Sequence, residues 1–183
     1  MTARKAKLER ETRETRISVC LNIDGSGGFE TDGPDRFLRH MCETLARYSG
    51  FDLALKFEGD DEHHVVEDVA IALGEALRKA LGENPAVRRA SSCVIPMDDA
   101  LVLVSVDLVG RPYCDADCPD PLYGHFLRSF AMSAGMNLHA VVMRGFDEHH
   151  IIESTFKALG RCLGQATRPA DGVLSTKGAV REG

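Results

Sequence analysis

No stretch of the sequence comes near the roughly 18 consecutive apolar residues that a bilayer-crossing helix needs, so no membrane span is expected. Positive charge is also scarce. Lys and Arg total 22 against 28 Asp and Glu, a formal net charge of −6. Duplex binding depends on clustered Lys and Arg, so no nucleic-acid partner is expected either. An anionic small molecule stays open, because a local basic pocket can act within an acidic protein. Met1 to Arg16 is highly charged and lacks the apolar core of a secretory signal. The six cysteines include no C-x-x-C pair, Cys114 and Cys118 being the closest together. Reduced thiols in a cytoplasmic protein are the expectation. Apolar residues make up 44% and charged residues 27% of the 183. That is a globular profile, at the length of one domain or of two small half-domains fused into one core.

The sequence matches itself. Asp61-Glu62-His63-His64-Val65-Val66-Glu67 returns, nearly half a chain later, as Asp147-Glu148-His149-His150-Ile151-Ile152-Glu153. The match runs on: Ala72, Leu73, Gly74, Leu77 and Ala80 fall on Ala158, Leu159, Gly160, Leu163 and Ala166. So long a period marks a duplicated half-domain and not a solenoid. Val19, Leu21 and Ile23 alternate with polar neighbours as a half-buried strand does, and Val104, Val106 and Leu108 do the same. Phe37-Leu38-Arg39 and Phe126-Leu127-Arg128 each open a candidate helix. The distance from there to the His-His pair differs by three residues, about one helical turn, so one copy is expected to have lost or gained a turn. Short strands follow at Phe51–Phe57 and Asn137–Met143, and each His-His pair then starts a second helix with Val66, Val69, Ala70, Leu73 and Leu77 at helical spacing.

The expected fold is therefore α+β, an internal duplication of two similar half-domains. Each is a small, mostly antiparallel sheet with two helices, and the helices pack between the sheets. The half-domains are set at 10–90 and 91–178, with the boundary near Pro85–Ser92. Residues 1–9 and 179–183 are expected to be frayed.

Imidazole and carboxylate together are ligands for divalent Zn, Mn, Fe, Co and Ni. On a helix, residues three and four apart share a face, so His63 or His64 can approach Glu67, and His149 or His150 can approach Glu153. Adjacent histidines point about 100° apart at 3.6 residues per turn, so the two of a pair hardly chelate one ion but can serve two. A single H-H-x-x-E could be a solvated helix start; two copies argue for two sites, each drawing on both halves. The order is not H-E-x-x-H, which weakens a metalloprotease reading. His40 and His139 are further candidate donors, while His125 reads as an ordinary histidine.

The repeated H-H-x-x-E, with Pro96-Met97-Asp98, Gly110-Arg111-Pro112-Tyr113, Phe156-Lys157-Ala158 and Ser175-Thr176-Lys177-Gly178, resembles the imidazoleglycerol-phosphate dehydratase family from about Arg10 to Gly178. The resemblance implies a manganese-dependent hydro-lyase of histidine biosynthesis, which removes water from imidazole glycerol phosphate to give imidazole acetol phosphate. It implies two manganese ions per site, with other divalent ions possible, and a cubic cage of about 24 subunits with sites built between them. The implied metal ligands are His40, His63, His64, Glu67, His139, His149, His150 and Glu153. The implied phosphate-binding residues are Arg89, Arg111, Lys157, Ser175 and Lys177; Glu14 and Asp98, with Glu153, match acids of the reaction site. The chemistry suits such a set. Metal coordination of the substrate's imidazole withdraws electron density near a carbon whose proton has a high pKa, a carboxylate moves the proton, and Arg and Lys anchor the phosphate.

The chain departs from the family's usual T-G-I-G-F-F-D-H-M run, having Thr31-Asp32-Gly33-Pro34-Asp35-Arg36-Phe37-Leu38-Arg39-His40-Met41, so that Arg39 stands where an acid is usual. The family's Ser before Gly-Arg is Val109, M-D-E is Met97-Asp98-Asp99, and Asp147 replaces an Asn. A divergent member is the expectation. Two other readings stay open: a related di-metal lyase acting on another small phosphorylated compound, or a non-catalytic metal-binding cage protein.

Overall fold

Alternating apolar residues build each half from a hairpin upward, and the same order of elements follows twice. The computed structural model describes residues 4–83, 86–170 and 172. The first half runs β1 (Lys5–Glu11), β2 (Thr15–Asn22), β3 (Phe29–Asp32), α1 (Arg36–Ser49), β4 (Asp52–Gly59) and α2 (Glu62–Leu81). The second runs β5 (Ala90–Met97), β6 (Ala100–Asp107), β7 (Tyr113–Ala116), α3 (Pro121–Ala134), β8 (Asn137–Arg144) and α4 (Glu148–Ala166). The sheets have the orders β1-β2-β4-β3 and β5-β6-β8-β7. All pairs are antiparallel except β3 with β4 and β7 with β8. The duplicated α+β reading holds.

Ile17, Val19 and Leu21 of β2 and Leu53, Leu55 and Phe57 of β4 point inward, as do Val102, Val104, Val106, Leu138 and Ala140 of the other sheet. Between the two inner faces lie the four helices, α1 against α4 and α2 against α3. Both contacts close on a glycine in the second helix of each repeat. A Cβ on Gly74 would stand 2.6 Å from the Phe130 carbonyl oxygen of α3, and one on Gly160 would stand 2.7 Å from the Leu45 carbonyl oxygen of α1. Backbone therefore approaches backbone where any side chain would hold the helices apart.

Among the described residues every helix starts on an Asp cap: Asp35, Asp61, Asp120 and Asp147, each accepting an N–H of the first turn. Such a cap satisfies N–H groups the helix cannot, and losing one typically costs about 1 kcal/mol. The strand–helix alternation brings all four capped ends to the same side of the molecule. The C-terminal ends, with Gly50, Gly82 and Gly135 after α1, α2 and α3, lie at the other.

Two expectations change. α1 and α3 are both 14 residues long, so no turn was gained or lost. Their caps pair Asp35 with Asp120 and Gly50 with Gly135, which puts Phe37 opposite Leu122 and His40 opposite His125. Matching on Phe-Leu-Arg slides one helix by about a turn, and a one-turn slip preserves the apolar face, which is why the pattern tolerated it. At the N-terminus, β1 occupies Lys5–Glu11, so residues 5–9 of the stretch expected to fray are strand, while residues 1–3 lie outside the described residues. It is held by buried Leu8 and by Arg10, whose guanidinium lies 2.7 Å from buried Asp68 of α2. Residues 179–183 lie outside the described residues.

The outer faces of the sheets differ. That of the first carries Lys7, Glu9, Arg16, Lys56 and Glu58, largely in surface ion pairs. On the second, Val94, Leu103 and Val141 lie side by side across β5, β6 and β8, with exposed Tyr113 and Met143 nearby.

Candidate metal centre

The helix caps decide where the histidines stand. Asp61 accepts the His63 N–H at 2.8 Å and Asp147 accepts the His150 N–H at 3.2 Å, so each His-His pair occupies the exposed first turn of its helix, with the glutamate one turn further in. Between α1 and α4, His40, His149 and Glu153 bring their ligand atoms within 4.8 Å of one another. His40 Nε2 lies 3.3 Å and His149 Nε2 3.2 Å from the same Glu153 oxygen, Oε2. Between α2 and α3, His63, Glu67 and His125 form the matching group, also within 4.8 Å. There His125 Nε2 lies 3.4 Å from Glu67 Oε1, and the His63 and His125 rings stack at 5.0 Å. Two imidazoles and a carboxylate converging on one point are a ready N/O donor set for a divalent ion.

His64 and His150 join neither group. The turn of the helix sends them the other way, as adjacent positions require. His64 Nδ1 lies 3.1 Å from Asp60 and 3.8 Å from Glu14; His150 Nδ1 lies 2.5 Å from Asp99, with its Nε2 3.5 Å from Asp98. Hydrogen bonding to Asp60 raises His64 above the ordinary imidazole value, and hydrogen bonding to Asp99 does the same for His150. Asp99 in turn is held down to about 2, first by His150 and then by the Phe146 N–H. Burial works against ionisation of Glu153, but the hydrogen bonds of Lys157 and His40 outweigh it, and the carboxyl stays below its ordinary value.

The remaining candidates divide by position. Glu14 lies in the β1–β2 turn and Asp98, at φ 48°, in the β5–β6 turn, each beside an outward histidine. Lys157 stands one turn beyond Glu153, with Nζ 2.9 Å from Glu153 Oε1. His139 does not reach either group: it faces outward from β8, exposed, with its ring 5.4 Å from that of Tyr113. Strand alternation sets it on the side of the sheet away from the helices, and the residue that completes the α2–α3 group is His125. The spacing of His40 from Asp35 and of His125 from Asp120 carried that signal. Asp99, which closes the altered Met97-Asp98-Asp99 run, is a further residue of this region that the sequence reading does not single out.

Arg89 and Arg111 sit at the far end. The Arg89 N–H donates to Ala166, the last residue of α4, and Gly110, next to Arg111, donates to the Gly135 carbonyl after α3. At 1.5 Å per residue, the helix puts about 25 Å between that end and His149. The Arg89 guanidinium also makes a two-pronged pair with Asp107, at 2.7 and 3.0 Å. Ser175 and Lys177 lie outside the described residues.

Paired histidine–carboxylate groups at the helix ends of a duplicated two-sheet fold define a class of protein able to hold divalent ions there. A family model described as imidazoleglycerol-phosphate dehydratase matches residues 34–163. The imidazoleglycerol-phosphate dehydratase of Desulforudis audaxviator is 47% identical, over 98% of this chain and 100% of that protein. That of Methanothermobacter thermautotrophicus is 46% identical over 98% and 100%. Among solved structures, the enzyme of the same family from Pyrococcus furiosus superposes with a TM-score of 0.85 at 37% identity, covering 94% of this chain and 100% of that one. The chain belongs to the imidazoleglycerol-phosphate dehydratase family. Identity at this level over almost the full length makes it an ordinary member, despite the altered segment before His40.

Proposed function

We infer that the chain catalyses the metal-dependent dehydration of imidazole glycerol phosphate to imidazole acetol phosphate, as a hydro-lyase of histidine biosynthesis. The observation that carries this reading is the pair of histidine–carboxylate groups, repeated by the duplication and set side by side at one end of the fold. They suit manganese, and their N/O donors accept other divalent ions as well. The bound ions would polarise the substrate's imidazole and so ease loss of a proton from the neighbouring glycerol carbons.

The chain's own groups supply the rest. His40, His149 and Glu153 hold one ion, and His63, Glu67 and His125 the other; His125 takes the place first given to His139. His64 and His150 face outward, where a neighbouring copy can use them to fill the set. Glu14 and Asp98 stand beside those two histidines as carboxylates for moving the proton that leaves carbon and the one that departs with the hydroxyl as water. Arg89, Arg111, Lys157, Ser175 and Lys177 are the phosphate anchors, and binding energy spent on the phosphate fixes the reacting carbons.

A site holding both Arg89 and His149 cannot form within one chain when the two ends stand about 25 Å apart. This favours a large homo-oligomer, of the order of 24 subunits, with sites between copies. The apolar outer face of the second sheet, Val94, Leu103 and Val141, is the surface suited to contact another copy, since so continuous an exposed patch marks interaction sites. A chain with these properties acts in the cytoplasm on a soluble metabolite.

The test is turnover of imidazole glycerol phosphate by the purified protein loaded with manganese, beside a chelator-treated sample. Metal-dependent acetol phosphate is the expected product. A folded protein that binds two ions and yields none would reject the substrate and turn attention to other phosphorylated compounds. Light scattering on the same samples should show a large particle that shrinks when metal is stripped; one small mass in both would reject the shared sites.

A further inference from the structure

Asp99 makes more bonds than a turn residue needs. Its Oδ2 accepts the N–H groups of Phe146 at 2.7 Å and Asp147 at 3.2 Å, while its Oδ1 lies 2.5 Å from His150 Nδ1. The side chain is only 18% exposed. One carboxylate thus ties the β5–β6 turn to the loop that starts α4 and to the outward histidine of that helix. A carboxylate can only accept, so His150 Nδ1 must carry the proton, and Nε2, which lies 3.5 Å from exposed Asp98 and beyond the bond Asp99 makes, is left with the lone pair.

The other half lacks this anchor. Its β1–β2 turn offers Glu14, which stands 3.8 Å from His64 Nδ1, beyond hydrogen-bond range, with a side chain 54% exposed. His64 instead meets Asp60, four residues before it in the loop that leads into α2, at 3.1 Å and 59% exposed. The duplication kept the position of the two histidines but buttressed one of them.

We propose that Asp99 is a positioning residue, which fixes the ring and the tautomer of His150 so that Nε2 is presented to an ion, and that His150 and His64 are therefore unequal donors, one pre-set and one mobile. This rests on the metal-binding reading given above. A partner that orients an imidazole ligand typically changes metal affinity by about 10–100-fold. Asp99 acts through His150 and need not touch substrate.

The discriminating variant is Asp99→Asn. Its Oδ1 can keep the Phe146 and Asp147 N–H groups, which turns the amide Nδ2 towards His150. Nδ1 then has to accept, the ring proton moves to Nε2, and the lone pair meant for the ion is gone. The full-length wild type, Asp99→Asn and Asp99→Glu are titrated with Mn²⁺ alone against a competing chelator. Ring tautomers in the metal-free protein are read by long-range ¹H–¹⁵N correlation, and unfolding is followed by heating. Wild type is expected to show two affinity classes. Asp99→Asn should weaken one of them about 10–100-fold, leave the other and the melting temperature in place, and move the His150 proton from Nδ1 to Nε2; Asp99→Glu should recover part of the loss. Wild-type affinity for both ions in Asp99→Asn overturns the positioning role alone. Equal weakening of both classes with a lowered melting temperature also overturns it, since that is what a mere loop clamp gives. A wild type that takes up no Mn²⁺ overturns the metal reading together with this one.

Discussion

Adding one methyl group at Gly160 should push α1 away from α4 and open the ion site between them. The new Cβ would stand 2.7 Å from the Leu45 carbonyl oxygen, 3.0 Å from Tyr48 Cβ and 3.2 Å from the Ser49 nitrogen, so the crowding comes from backbone that has no rotamer to change. Restoring ordinary contact requires a separation of about 0.5–1 Å. Two effects oppose each other in stability. Alanine is better than glycine inside a helix by about 1 kcal/mol, whereas overpacking of this kind costs about 1–3 kcal/mol. The net is a destabilisation of about 1 kcal/mol, equivalent to a fall of about 2–4 °C in the melting temperature of a chain this long. The larger consequence is local. His40 rides on α1, one to two turns before Leu45, and its Nε2 is 3.3 Å from Glu153 on α4. Ligand distances tolerate about 0.2 Å, so the His40–His149–Glu153 group should lose affinity while His63–Glu67–His125 keeps its own. Thermal unfolding of the metal-free protein and a manganese titration read the two effects, and Gly74→Ala should give the mirror image by parting α2 from α3. A melting temperature that rises by a few degrees with both ion affinities unchanged would refute the reasoning, because helix preference alone would then have decided the outcome.

Further expectations concern single side chains. His125→Ala should remove one of two manganese ions and nearly all turnover, while His139→Ala should keep both ions; metal analysis of the purified variants separates them, and the reverse result would restore His139. The Asp52 carboxylate accepts the Ser26 and Gly28 N–H groups at 2.9 and 3.1 Å and the Asn22 amide at 3.0 Å, which favour its ionised form and hold it below the ordinary value. With the folded value depressed, its stabilisation is complete above the unfolded value of about 3.9 and is lost as pH falls through the folded one. Asp52→Asn should therefore melt lower than wild type at neutral pH, with the gap closing below about pH 4. A gap that is constant from pH 7 to pH 3 would assign the effect to packing and not to charge.

Much of this molecule could be read from its residues, and the misreadings have physical causes. The H-H-x-x-E pairs were legible because helix geometry links positions one turn apart, and the α2–α3 and α1–α4 groups are built on those links. His125 was missed because Phe126-Leu127-Arg128 copies Phe37-Leu38-Arg39 one turn out of register, and an amphipathic pattern cannot detect a slip of its own period. The capping aspartates could have corrected it, since a cap has one position and not a period. Asp99 was hidden because its partners, Phe146, Asp147 and His150, are distant in sequence and meet it only when the β5–β6 turn folds against α4. The first part of β1 reads as a frayed end in the sequence because its charged residues alternate with only one buried position, Leu8, and its order comes from pairing with β2 and from Asp68.

The length of α4 has a genetic consequence. Under the proposed reading, each reaction centre joins ion donors at the helix starts, His149 among them, to the Arg89 and Arg111 anchors at the far end of another copy. A chain crippled only at His149 and a chain crippled only at Arg89 would each be inert when assembled alone. Refolded together, they would form mixed particles in which some junctions join the sound helix starts of one parent to the sound far end of the other, and activity would return in a fraction set by the mixing ratio. Two defective alleles of one gene would then complement each other, as lesions ordinarily do only when they lie in different genes.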